Sequence, residues 1–142
     1  MAVVSSSGDV MNIDYRFDLV PPVNAVIELY RNAGLPRPIT DPARIALMYQ
    51  NANLIVTAWD ADLLVGVARS LSDFCWCCYL ADLAVRQEYQ GHRIGQRMID
   101  LTKEKVGEQS MLLLLSVPAA MGYYPKVGLQ PVDNGFIIHR ES

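Results

Sequence analysis

The stretch YQGHRIGQRM, residues 89 to 98, sets Gly91 and Gly95 around a His-Arg pair, with a strand-like apolar run before it and a helical pattern after it. A helix start leaves about four backbone N–H groups unpaired and carries roughly half a positive charge. Such an end attracts anions. The two glycines let the chain turn tightly and let a bulky anion approach the main chain. His92 and Arg93 add donors, and Arg97 lies one turn into the helix. The stretch lacks the Lys-Ser/Thr of a P-loop and the third glycine of a dinucleotide fingerprint. On the residues alone the anion is a pyrophosphate or similar group, with an ordinary glycine-containing helix start as the plainer alternative.

The other reactive side chains form no second centre. Cys75, Cys77 and Cys78 all fall in FCWCCYL. Three thiols in one strand-like segment make a poor disulfide framework. They read as buried or half-buried thiols in a reducing cytosol, which puts the chain in the cytoplasm. His92 and His139 do not complete a zinc-ligand spacing, so no metal is expected. Trp59 and Trp76 read as core more readily than as the lining of a pocket.

These residues need a scaffold, and 142 residues suffice for one domain with one core. The composition, 51% hydrophobic and 19% charged, is that of a globular chain. A net charge of −3 argues against a nucleic-acid partner, which favours a basic face. No apolar run approaches the roughly 20 residues that cross a bilayer, so no membrane partner is expected. Residues 1–10 lack the basic start and long apolar stretch of a secretion signal and read as a disordered tail before a single domain over 11–142.

Along that domain, IDYRFDLV (13 to 20) alternates as a first strand, stopped by Pro21 and Pro22. VNAVIELYRNAG has helical spacing with Gly34 as a C-terminal cap, and Asp41 with Pro42 opens a second helix. NLIVTAWDADLLVGVARSL reads as a hairpin, and CCYLADLAV as a third strand of the same meander. From Ile94 to about Val106 the period is helical, with Ile94, Met98, Leu101 and Thr102 on one face and Gly107 at the end. MLLLLSV reads as a central strand covered on both faces. A short turn or helix follows from Pro118 to about Gly122, and GLQPV and GFIIHR read as two final strands. The order is β-α-α-β-β-β-α-β-α-β-β, with a parallel crossover over 78 to 117.

Placed on these elements, DLAVRQEYQGHRIGQRMI resembles the acyl-CoA-binding signature of the GNAT superfamily of N-acetyltransferases, Gln/Arg-x-x-Gly-x-Gly/Ala after the fourth strand. Gln90 and Gly95 match, and the fourth position is Arg93 rather than Gly, which removes one flexible point. GYYPKVGL (122 to 129) is similar to the family's Tyr-x-Lys-x-Gly-Phe segment after the fifth strand. The order of elements matches along residues 12 to 140.

The resemblance implies an α/β (α+β) single-domain fold, a mixed and mostly antiparallel sheet with a central splayed parallel strand pair, flanked by helices. It implies acetyl-CoA as cosubstrate and no metal. The pantetheine arm would pair with backbone at Leu83, Ala84 and Val85, and N–H groups from Gly91, His92, Arg93, Ile94, Gly95 and Gln96 would hold the pyrophosphate. Tyr124 matches the family's tyrosine near the CoA sulfur, where a phenol gives its proton to the leaving thiolate. The acceptor would be a primary amine of a small molecule or protein; a homodimer is common among relatives. The base is less specified: the position that carries a glutamate in some relatives falls on Tyr79, Asp82 reads as structural more readily than as base, and Glu28 or a water chain are further options. The asparagine that many relatives carry before their last long helix is absent from SVPAAMGYY. A non-catalytic acyl-CoA sensor would keep QGHRIG without an acid, and an unrelated nucleotide-binding domain would take ATP or NAD instead.

Overall fold

The computed structural model of the protein describes residues 2–4 and 10–142. Its elements are β1 (Ala2–Val4), β2 (Val10–Arg16), α1 (Val23–Ala33), α2 (Pro42–Gln50), β3 (Leu54–Asp60), β4 (Leu63–Ser72), β5 (Cys77–Val85), α3 (Ile94–Val106), β6 (Met111–Leu113) and the single-turn α4 (Tyr123–Lys126). Short 3-10 turns precede α3, at Gln87–Tyr89, and α4, at Pro118–Ala120. The strands lie side by side in chain order. Pairings are antiparallel up to β5, and β5 with β6 is parallel. The expected mixed sheet with a parallel pair and flanking helices is therefore observed.

Residue alternation decides which helix covers which face. Val56, Ala58, Val65, Ala68 and Leu80 meet Ile94, Met98, Ile99 and Leu101 of α3. Ile55, Leu64, Val67 and Ala84 meet Val26, Leu29 and Tyr30 of α1 and Ile45 and Tyr49 of α2. Successive strand residues point to opposite faces, with the phase shifted in β4 by a bulge that leaves Val65 as the extra residue, so α3 covers one side of the sheet and the α1–α2 pair the other. β4 is buried over seven successive residues as a result. Each large side chain buried in this way contributes about 1.5–3 kcal/mol. Asp41 caps α2 by accepting from the Arg44 N–H at 3.1 Å, and Gly34 closes α1, both as their residue types predict.

The parallel pair positions the site. β6 is in register with β5 only at Cys77–Met111, Cys78–Leu112 and Tyr79–Leu113. Past Tyr79 the two chains separate, and β5 runs on alone to Val85. A bulge sits at the separation, because Arg69 faces Asp82 while Ser70 faces Leu80, leaving Ala81 as the extra residue.

Several expectations are corrected. MLLLLSV is a strand for three residues only, and it lies at the edge of the described sheet, with Met111, Leu113 and Leu115 exposed. GLQPV and GFIIHR form no strand. Among the described residues no strand therefore adds to the open side of β6, and Met111, Leu113 and Leu115 stay uncovered. The first strand ends at Arg16 rather than Val20, because Phe17 and Asp18 already bend away. Of the expected tail, Ala2–Val4 pair with Val10–Asn12, while Met1 and residues 5–9 lie outside the described residues. Cys75 and Cys77 are exposed and Cys78 alone is buried. Asp73 explains this: its side chain accepts from the N–H groups of Cys75, Trp76 and Cys77 and folds the segment into a tight turn ahead of β5. Those three bonds hold the Asp73 carboxyl well below the usual range. No helix is long and apolar enough to cross a membrane among the described residues.

Candidate active site

The chain between β5 and α3 makes the turn that the glycines foreshadow. Gly91 has φ 86° and Arg93 has φ 63°. Arg93 thus adopts, at the position where the motif has glycine, the left-handed conformation that glycine adopts most easily. The turn is pinned by one of its own side chains and by one from α1. The Gln90 side chain donates to the Val85 carbonyl at 3.1 Å, and Asn32 of α1 accepts from the Gln87 N–H at 2.8 Å. No side chain caps the start of α3. The first intrahelical bond there is Arg97 N–H to the Arg93 carbonyl at 3.0 Å, so the N–H groups of the first turn point out of the helix end without a helical partner.

From that end a cleft of about 930 Å³ runs between the separated strands. Leu83, Ala84, Val85, Gly91, Arg93, Ile94, Gly95 and Gln96 all line it, as does Tyr124. His92 is absent from the lining. Gly95 sits at a close approach: a Cβ there would stand 2.8 Å from the Tyr123 hydroxyl, which would have to shift, and 3.7 Å from a Val85 methyl. Tyr123 and Tyr124 stack edge to face at 5.1 Å on the opposite wall. Burial raises the Tyr124 hydroxyl above the usual phenol value, the neighbouring Tyr123 adds to the rise, and the charge of Arg37 opposes it. Tyr124 is therefore a neutral proton donor at ordinary pH.

The carboxylates are elsewhere. Asp82 is 2% exposed and takes Arg37 Nε on one oxygen (2.5 Å) and both Arg69 Nε and the Tyr30 hydroxyl (2.7 Å each) on the other. Burial alone would raise its carboxyl, but Arg69 and Arg37 hold it below the ordinary range. Tyr30 meets the Tyr49 hydroxyl at 2.5 Å, and burial drives both phenols above their usual range. Glu28 pairs with Arg86 at 2.6 Å and Tyr79 stands on the exposed face of β5; neither lines the cleft. Among the described residues no Asp or Glu lines it, while Arg37, Arg93 and Lys126 do. Trp59 packs under α1 and α2 with its indole N–H on Thr57, and Trp76 projects into solvent, so neither reaches the cleft. Sequence reasoning missed Arg37, Tyr89 and Tyr123. Arg37 stands in a Pro-rich loop with no pattern to mark it. No group of acidic, His or Cys side chains able to hold a metal ion occurs among the described residues.

Three comparisons bear on this arrangement. A Staphylococcus aureus protein of unknown function, called a probable acetyltransferase, superposes with TM-score 0.76 at 24% identity, over 91% of this chain and 100% of its own. A GNAT-family acetyltransferase from Streptococcus pneumoniae gives 0.68 at 21%, over 92% and 100%. The aminoglycoside N-acetyltransferase AAC(6')-Iy, in complex with CoA, gives 0.69 at 11%, over 92% and 96%. These likenesses establish the fold. No curated protein sequence matches. The profile of the acetyltransferase (GNAT) family matches residues 23–129, which span α1 to the end of the Tyr124 segment. The chain belongs to the GNAT family of acetyltransferases.

Proposed function

We propose that the protein moves an acetyl group from acetyl-CoA to a primary amine of a small molecule or protein, by direct attack in a ternary complex. The observation that carries this reading is one continuous cleft with an uncapped helix N-terminus at one end and a neutral phenol on its wall. The lining fits the carrier. The N–H groups of Gly91 to Gln96, with Arg93 beside them, suit a pyrophosphate. The unpaired side of β5 at Leu83, Ala84 and Val85 suits the amide-bearing pantetheine arm, which would add as a strand. A relative of the same fold is named as a CoA complex.

In the reaction the amine nitrogen attacks the thioester carbonyl carbon, the C–S bond breaks, and the thiolate takes the Tyr124 proton. The amine's own proton leaves to water, since among the described residues no carboxylate lines the cleft to receive it. A backbone N–H of Leu83 to Val85 would polarise the carbonyl. Tyr124 recovers its proton from solvent. The same reading assigns residues 11–142 to one acetyltransferase domain. It places the protein in the cytoplasm, where the free Cys75 and Cys77 stay reduced. It also gives the chain a second copy as partner through its exposed C-terminal arm.

Calorimetric titration with CoA, dephospho-CoA and ATP tests the carrier. CoA should bind most tightly; ATP binding equally well would replace a thioester carrier with a nucleotide. Acetyl-CoA binding without CoA release on any amine would leave a sensor in place of an enzyme.

A further inference from the structure

We infer that the acceptor is an amino-carboxylate, a small amine carrying a carboxylate beside its amino group, and that Arg37 selects it. The inference rests on the transferase reading and names the substrate class within it. If the α3 end takes the phosphates, the acceptor enters at the other end, where β5 and β6 part. The wall there comprises Ala33, Gly34, Leu35 and Arg37 from the chain leaving α1, facing Leu80 and Ala81.

Arg37 is fixed rather than floating. Its Nε donates to Asp82 at 2.5 Å, its Nη1 to the Pro36 carbonyl at 2.7 Å and its Nη2 to the Ala81 carbonyl at 2.8 Å. The side chain is 23% exposed, and Arg37 lines the cleft. A guanidinium has five N–H donors, so three bonds leave two on the terminal nitrogens. The local charge is also unbalanced. Asp82 is shared by Arg37 and Arg69, the adjoining Tyr30 and Tyr49 are neutral, and two positive charges face one negative. The remaining cleft-lining charges, Arg93 and Lys126, are positive as well. A diamine or polycation would meet like charge from every charged side chain that lines the cleft among the described residues, whereas a carboxylate would meet a fixed cation with two N–H donors left. Arg37 and Tyr124 line the same cleft, so a carboxylate held by Arg37 keeps its own amine within it. The three bonds of Arg37 would serve equally to staple the loop to β5, and the experiment separates the two roles.

Wild-type protein with saturating acetyl-CoA is given three matched acceptors: an α-amino acid, its carboxamide, and the amine lacking the carboxyl group. CoA release is measured at equal concentrations of free amine. The amino acid should show kcat/KM at least tenfold above either analogue. Arg37→Gln keeps a donor for the Ala81 carbonyl and removes the charge. It should raise KM for the amino acid at least tenfold, leave the Kd for acetyl-CoA within twofold, and erase the preference, with Arg37→Lys restoring part of it. Equal turnover of the three acceptors by wild type overturns the inference, as does an Arg37→Gln variant that loses all three alike. If the variant does not fold, the wild-type comparison decides alone. Failure to bind acetyl-CoA at all sinks the transferase reading instead, and binding without turnover of any of the three sinks the acceptor assignment.

Discussion

Tyr124 and Arg93 are the two residues on which the proposed chemistry can be tested most directly. Tyr124 is protonated at neutral pH as an ordinary phenol is, and burial, with help from Tyr123 and against the charge of Arg37, raises its pKa further. A group whose folded pKa is raised keeps its acid form below the ordinary phenol value of about 10 and loses it only as pH climbs past that. Tyr124→Phe should lower kcat by roughly 10²–10⁴-fold, the usual worth of a general acid, with acetyl-CoA affinity nearly unchanged. Stopped-flow release of CoA measures the first and calorimetry the second; unchanged kcat would make water the acid. Arg93 carries a side chain where φ 63° favours none, at a cost of about 1–2 kcal/mol. Arg93→Gly should raise the urea-unfolding free energy by about 0.5–1 kcal/mol, the relieved strain less the added freedom of the unfolded chain. The same variant should bind CoA more weakly, because a cation leaves the phosphate end. A drop in stability would mean that the arginine side chain, rather than the backbone, holds the turn. The motif departure at Arg93 was visible in the sequence; that the backbone would keep the glycine conformation was not, because the turn is held by the Gln90 side chain on Val85 and by Asn32, which lies far along the chain in α1.

At the scale of elements, α3 and the turn before it were legible and β6 was not. The apolar period of α3 is satisfied by one sheet face, and the bounds Ile94–Val106 follow from Arg93 and Gly107 at its two ends. β6 fails the reading because MLLLLSV is apolar for two reasons at once. Leu112 and Leu114 pack toward α3, while Met111, Leu113 and Leu115 face out along an open edge. Periodicity in one chain does not say whether a neighbour covers the second face. The cleft depends on the same separation of β5 from β6, so its lining was readable only where a motif marked it. Gly95 tests the element's role. Gly95→Glu would put a Cβ 2.8 Å from the Tyr123 hydroxyl, the far end of a side chain able to swing aside, and an acid in the first turn, where a helix tolerates it. The variant should fold, as circular dichroism reports, and should bind CoA more than tenfold more weakly. Unchanged affinity in the folded variant would place the phosphates away from α3.

Over the whole molecule, the unexplained feature is the C-terminal arm. GFIIHR has the β-favouring side chains of a strand, yet Phe136 is 100% and Ile138 99% exposed. The arm leaves the core at Leu129 and its tip is tied to α2, where Arg44 donates to the Ser142 carbonyl at 3.2 Å. The reading of a final strand rested on side-chain types that suit a sheet, and those types are present; what is missing within one chain is the partner strand. The same molecule offers one, the bare apolar edge of β6. An unpaired apolar edge and an exposed apolar arm on one chain are complementary halves of a two-fold contact, in which each arm serves the other copy's edge. A dimer should therefore be seen by light scattering at tens of micromolar, a range in which a modest apolar interface holds. Ile138→Asp puts a charge into the arm while touching nothing in the cleft or the two packed faces. It should shift the mass to that of a monomer with circular dichroism and CoA affinity unchanged, because the cleft is built within one chain. A wild-type protein of monomer mass at that concentration would leave the arm without a second copy and remove the dimer from the proposal.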